Sequence, residues 1–113
     1  MDVDCIFCKI IRKEVPAEIV YEDEEIIAFK DINPSAETHI LIIPKKHIES
    51  LSLISASDEA IMLRMLKTAK ELAYKLPLAA RGYKLILNVD KGGGQIVRHI
   101  HLHFLAGEHI KLP

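Results

Sequence analysis

Long apolar runs are missing from this sequence. No stretch approaches the ~20 residues that a bilayer span requires, so no membrane association is expected. A surplus of charge is missing too: 15 Lys and Arg stand against 16 Asp and Glu, a formal net charge of -1. That balance argues against the broad basic face with which proteins grip nucleic acid. The opening Met1-Asp2-Val3-Asp4 lacks the basic start and apolar core of a secretory leader, and a cytoplasmic chain is expected. Cysteine is scarce. Cys5 and Cys8 are the two present; they are expected to be reduced thiols, and their spacing suits a metal or a redox pair better than a structural disulfide. No repeat, low-complexity tract or linker interrupts the chain. What remains is 113 residues, 50% hydrophobic and 27% charged, the composition of one soluble domain with a modest core.

Periodicity then divides the chain. Ile6 to Glu14 reads as a short N-terminal helix stopped by Pro16, and Glu18–Tyr21 and Glu25–Lys30 as strands joined by the acidic turn Glu22-Asp23-Glu24. Asp31 to Ser35 is a loop, since Asn33-Pro34 disfavours helix. His39 to Ile43 is a short β-branched run, expected as a buried strand ending at Pro44. After Ser57, apolar residues at Met62, Met65, Leu66, Ala69, Leu72, Ala73 and Leu76 trace one helical stripe. Asp58 and Glu59 suit its first turn and Pro77 ends it. Tyr83–Val89 and Val97–Leu105 complete five strands, with the break Lys91-Gly92-Gly93-Gly94 between them. The expected class is α+β, a five-stranded antiparallel sheet with one long helix and a short N-terminal one.

The run His99-Ile100-His101-Leu102-His103-Phe104-Leu105 carries the strongest chemical message. Alternation along a strand sends three imidazoles to one face and Ile100, Leu102 and Phe104 to the other. The apolar face has an evident use in packing; the histidine face has none. Such a row serves nucleophilic catalysis, in which a central imidazole attacks while its neighbours set its tautomer. It equally serves a zinc site with a position open to water. A solvated strand with incidental histidines is the bland alternative.

This run resembles the signature of the histidine triad (HIT) family. Ile6-Phe7, Lys9 to Glu14, Ala28 to Ile32, Thr38-His39, Ile43 to His47, Asn88 and Gly93-Gly94-Gln95 are similar, in order, to the HINT branch of that family. The resemblance covers nearly the whole chain and implies a single HIT domain over residues 1–113. It implies hydrolysis of nucleoside monophosphate derivatives, above all purine nucleoside phosphoramidates, through a covalent nucleotidyl-histidine. His101 would be the nucleophile, oriented by a backbone carbonyl near His99, while His103 with His39 behind it would bind phosphate oxygens and move protons. Asp31 would receive the ribose hydroxyls, although alone it reads equally well as a turn cap. Ile6, Phe7, Ile10, Phe29 and Ile32 would form the slot for the base. Asn88, Gly94, Gln95 and Ile96 would meet the phosphate and leaving group, with Asn88 and Gln95 using their side chains and the glycines their backbone N–H groups. Ile96 departs from the polar residue common at that position.

The resemblance also implies a structural zinc ion on Cys5, Cys8, His47 and His99, a closed set of four ligands without room for a reactive water. It implies a homodimer in which the long helix and the strand around Tyr83–Val89 meet a second copy. His109 has no matching role and reads as part of a surface tail. Two other functions compete: a nucleotide- or protein-binding regulatory module without turnover, and a zinc hydrolase with the three histidines as ligands.

Overall fold

The computed structural model describes residues 4–113; the reading of Met1 to Val3 as free of a leader lies outside the described residues. A short helix α1 (Ile6–Ile11) precedes strands β1 (Ile19–Glu22), β2 (Ile26–Lys30) and β3 (Thr38–Pro44), the long helix α2 (Glu59–Lys75), and strands β4 (Lys84–Ile86) and β5 (Leu102–Ala106). The strands form one sheet in the order β1-β2-β3-β5-β4, with every neighbouring pair antiparallel. The architecture is therefore the expected α+β arrangement. Among the described residues, no helix is long and apolar enough to cross a membrane.

The sheet's two faces are covered differently. Strand alternation points Ile26, Ala28, Ile40, Ile42, Leu102 and Phe104 toward α2, where they pack on Met65, Ala69 and Leu72. The opposite face presents Ile27, Phe29, Leu41 and Ile43 to Phe7, Cys8 and Ile10 of α1. His39 and His103 belong to this second face. In the β3–β5 register His39 opposes Leu105 and Leu41 opposes His103, which sets the two imidazoles diagonally adjacent.

Four details differ from the sequence reading. α1 stops at Ile11, short of Glu14, because Lys13 adopts φ 64 and closes a Schellman motif. In it Lys13 N–H donates to the Ile10 carbonyl at 3.0 Å and Glu14 N–H to that of Lys9 at 2.9 Å. A non-glycine residue there costs about 1 kcal/mol, which is why no sequence signal marks the stop. β4 is shorter than Tyr83–Val89. On α2, Leu66 is 47% exposed, while Met65, Thr68, Ala69 and Leu72 are the buried positions.

The fourth difference bears on the site. β5 begins at Leu102 instead of Val97, so strict alternation does not govern His99 and His101. Pro44 ends the opposing strand and has no N–H to offer. Its carbonyl is matched by the His99 ring at 2.8 Å, and Ile100 N–H turns aside to the Ile48 carbonyl at 2.7 Å. The segment bends away from the ladder there, and His99 leaves the company of the other two histidines.

Candidate active site and metal cluster

Backbone partners set the tautomer of each ring. His101 Nδ1 lies 2.8 Å from the His99 carbonyl. A carbonyl only accepts, so Nδ1 carries the proton and Nε2 keeps a free lone pair. His39 shows the reverse pattern: its Nδ1 accepts the Ser35 N–H at 2.9 Å, so the proton of the neutral ring sits on Nε2. That Nε2–H donates to His103 Nδ1 at 2.9 Å, with an Asp31 oxygen 3.4 Å away as a second acceptor. His103 consequently carries its own proton on Nε2. Two lone-pair and proton positions follow from two main-chain groups.

All three rings are buried, at 4%, 7% and 6% exposure for His39, His101 and His103. Burial disfavours the imidazolium. It pushes His103 down to about 4, with His101 and His39 adding to the effect. It also lowers His101 and His39, against the opposing pull of the His99 carbonyl on the first and of Asp31 on both. The contact between Asp31 and His39 is therefore between a carboxylate and a neutral N–H donor.

His39, His101 and His103 open on a cavity of about 330 Å³ that Asp31, Asn88, Gly94 and Ile96 also line. A second, apolar slot of about 190 Å³ adjoins it and shares Phe7, Asp31 and Leu41 as walls. Ile6, Phe7, Ile10, Phe29 and Ile32 all line this slot, so every residue expected around a base is brought there. Phe7 meets Phe29 edge-on at 5.6 Å between centroids and His101 at 5.2 Å. Asp31 also accepts the Asn33 N–H at 2.9 Å, so the turn-capping reading and the cavity-lining reading hold together.

The glycine segment departs from expectation. Its N–H groups close their own turn: Gly93 and Gln95 donate to the Asp90 carbonyl and Gly94 to that of Lys91. Gln95 does not reach the cavity. Its Oε1 accepts the Asp90 N–H at 2.8 Å, and its Nε2 donates to the carbonyls of Glu49 (2.6 Å) and Val97 (2.9 Å). With both amide hydrogens engaged, Gln95 staples the turn in place. Asp90, at φ 61, is tied down by Ser52 at 2.6 Å and Arg98 at 2.9 Å. Gly94, at φ +85, turns the chain toward Ile96, which is 91% exposed at the mouth.

The N-terminal cysteines gather around His99. Cys5 Sγ lies 3.4 Å and Cys8 Sγ 3.6 Å from His99 Nδ1, and His47 Nδ1 lies 3.3 Å from Cys8 Sγ and 3.2 Å from His99 Nδ1. A tetrahedral zinc with Zn–S and Zn–N bonds of ordinary length separates its ligands by about 3.3 to 3.8 Å. These four separations lie within that range or just below it, and all four donor atoms lie within 4.8 Å of one another. His99 Nε2 donates to the Pro44 carbonyl at 2.8 Å, which leaves Nδ1 as a lone pair facing the thiols, as a ligating histidine needs. Burial brings His99 down to about 4, partly offset by that carbonyl, so the ring is neutral at pH 7. Cys5 and Cys8 are buried and not joined by a disulfide.

Ser35 and Pro44 had no sequence signal, because they act through main-chain atoms that every residue carries; the carbonyl behind His101, implied near His99 by the resemblance, is that of His99 itself. Leu41 and Val97, in the cavity wall, read simply as core and strand positions. His109 is exposed in the tail, as expected.

A family model described as "HIT domain" matches residues 12–110. The chain is 47% identical over 107 residues to the purine nucleoside phosphoramidase of Escherichia coli strain K12, covering 95% of this chain and 90% of that protein. A HIT family hydrolase from Legionella pneumophila superposes with a TM-score of 0.90 at 48% identity, covering 97% of this chain and 98% of that one. A zinc-bound histidine triad family protein from Mycobacterium smegmatis superposes with a TM-score of 0.80 at 33% identity, covering 93% and 76%.

Proposed function

Because this chain belongs to the HIT domain family, we propose that it hydrolyses nucleoside phosphoramidates, with a purine nucleotide as the group transferred. The observation that carries the reading is the tautomer of His101: a neutral ring with Nδ1–H held by the His99 carbonyl and Nε2 free beside the cavity. Such a ring is a nucleophile at pH 7.

The Nε2 lone pair attacks the phosphorus, a N–P bond to His101 forms, and the P–N bond to the amine breaks. The positive charge that develops on the ring is stabilised through Nδ1–H by the carbonyl already aligned with it. The departing nitrogen gains one proton. In the second step water attacks phosphorus, loses one proton, and displaces His101 with its lone pair restored. Over the cycle one proton passes from water to amine. His103 Nε2–H meets the phosphoryl oxygens and lies next to that transfer, with His39 and Asp31 holding its orientation. The base enters the slot of Ile6, Phe7, Ile10, Phe29 and Ile32, and Asp31, at the junction of slot and cavity, accepts the ribose hydroxyls. Asn88, Gly94 and Ile96 face the leaving group.

Cys5, Cys8, His47 and His99 would hold zinc, which supplies a structural cross-link between the N-terminus and the histidine segment. The fit of the four donors and the zinc-bound relative support this, and a reducing cytoplasm would keep both thiols available. A homodimer is the matching assembly: β4 is an edge strand, and Leu63, Leu66, Tyr83 and Leu85 on α2 and around β4 are exposed. Sedimentation as a monomer at micromolar concentration would overturn that assignment.

Mass spectrometry of the protein mixed with adenosine phosphoramidate tests the chemistry. A nucleotidyl adduct on the peptide containing His101 is expected, and turnover by His101→Ala at the wild-type rate would refute the assignment.

A further inference from the structure

We infer that Glu37 is a positioning residue that latches the segment 107–113 across the mouth of the histidine cavity and so sets how tightly the nucleotide is held. The inference rests on the hydrolase reading above for its substrate, and on the following contacts for its mechanics.

Glu37 immediately precedes β3, outside the cavity wall. One carboxylate oxygen accepts the Glu108 N–H at 2.8 Å and the other the His109 N–H at 3.0 Å. Gly107, at φ +125, makes the hollow in which the carboxylate sits: a Cβ there would lie 2.5 Å from the carboxylate carbon. Two charge-assisted bonds to consecutive amides hold a backbone segment in one orientation more firmly than a single neutral bond does.

The segment so fixed continues over the site. Lys111 N–H donates to the Ser35 carbonyl at 2.7 Å, and the Asn88 amide donates to the Pro113 carbonyl at 3.4 Å. Pro113 forms part of the cavity wall together with Asp31, Asn33 and Ser35 of the loop before β3. Glu37 therefore ties the segment 107–113 to the end of the loop before β3, and both line the opening. Releasing it loosens both Pro113 and the Asp31 loop in the cavity wall. It leaves untouched the His101 bond to the His99 carbonyl and the His39 bond to His103. Nucleotide binding should weaken while the chemical step proceeds.

The test compares wild type with E37Q, which keeps one acceptor oxygen, E37A, which keeps none, and G107A, which fills the hollow. Amide hydrogen exchange at Glu108, His109 and Lys111 is followed alongside KM and kcat for adenosine phosphoramidate and the melting temperature. Exchange should quicken in all three variants, least in E37Q. KM should rise about five- to tenfold in E37A, with kcat within about twofold and the melting temperature unchanged. Faster exchange with KM unchanged overturns the latch, as does a fall in kcat at constant KM. If wild type turns over no phosphoramidate, the hydrolase reading fails separately, and AMP affinity decides the latch: weaker binding in E37A supports it, and equal or absent binding overturns it.

Discussion

Two clusters on one face of the sheet, Cys5–Cys8–His47–His99 and Asp31–His39–His103, each gather their donor atoms within 4.8 Å of one another. By composition either could take a divalent ion. Their surroundings differ in one respect. In the first, His99 gives its Nε2 proton to a carbonyl and turns a lone pair inward. In the second, His39 receives a backbone N–H on Nδ1 and must keep its proton on Nε2, the atom facing His103 and Asp31. A metal at that Nε2 would force the proton onto Nδ1, head-on against the Ser35 N–H. The first cluster could hold a cation, and the second holds a proton in place. A carbonyl or an amide behind the ring makes the distinction.

The largest effect that would sharpen this contrast is His101→Ala. It should lower kcat/KM for adenosine phosphoramidate by about a thousandfold or more while leaving zinc content at the wild-type level; equal activity would remove the contrast altogether. Cys8→Ser should lose zinc, measured by atomic absorption, and with it several kcal/mol of stability, on the order of a structural site's contribution. Wild-type zinc content in that variant would refute the ligand set. Next comes stoichiometry with His39→Ala. Calorimetric titration of stripped protein should find one tight zinc site per chain in wild type and in this variant, with kcat reduced about 10- to 100-fold in the variant. A second tight site in wild type that disappears in His39→Ala would break the comparison.

The smallest effect is in pH. His39 and His101 are lowered from the ordinary value and His103 is brought to about 4. The acid limb of kcat/KM should thus lie below pH 6.5 instead of on it. The sign for stability follows. Between pH 6.5 and about 4 the unfolded chain takes up protons at His103 that the folded chain does not, so stability falls as pH falls through that window. A stability curve flat from pH 7 to 5 would contradict the buried neutral rings.

Much of this was legible in the sequence, for identifiable reasons. The β3 run, the α2 stripe and the stop at Pro77 followed from periodicity and proline sterics. The slot residues Ile6, Phe7, Ile10, Phe29 and Ile32 came from resemblance, since by pattern alone they read as core. What escaped was decided by main-chain geometry. Gln95 looked like a polar side chain awaiting phosphate and instead satisfies three backbone groups. Alternation alone put His99 on one face with His101 and His103, and only the resemblance grouped it with Cys5, Cys8 and His47; the end of the β3 ladder at Pro44 is what turns it that way. Lys13 ended α1 where neither glycine nor asparagine announced it.

Phe7 stands between Cys5 and Cys8 in the chain and touches both His99 and His101 in space, with its ring 5.8 Å from that of His99 and 5.2 Å from that of His101. Its helix has six residues, far fewer than a helix needs to persist unaided in water. What keeps it wound is its packing on β2 and β3 and the gathering of its first turn around His99. The wall proposed for the base is in this sense borrowed: part of its rigidity comes from sulfur and imidazole groups that would not themselves touch a nucleotide. Damage to the thiols would therefore register first as a blurred preference among bases, before the attacking histidine lost any of its reactivity.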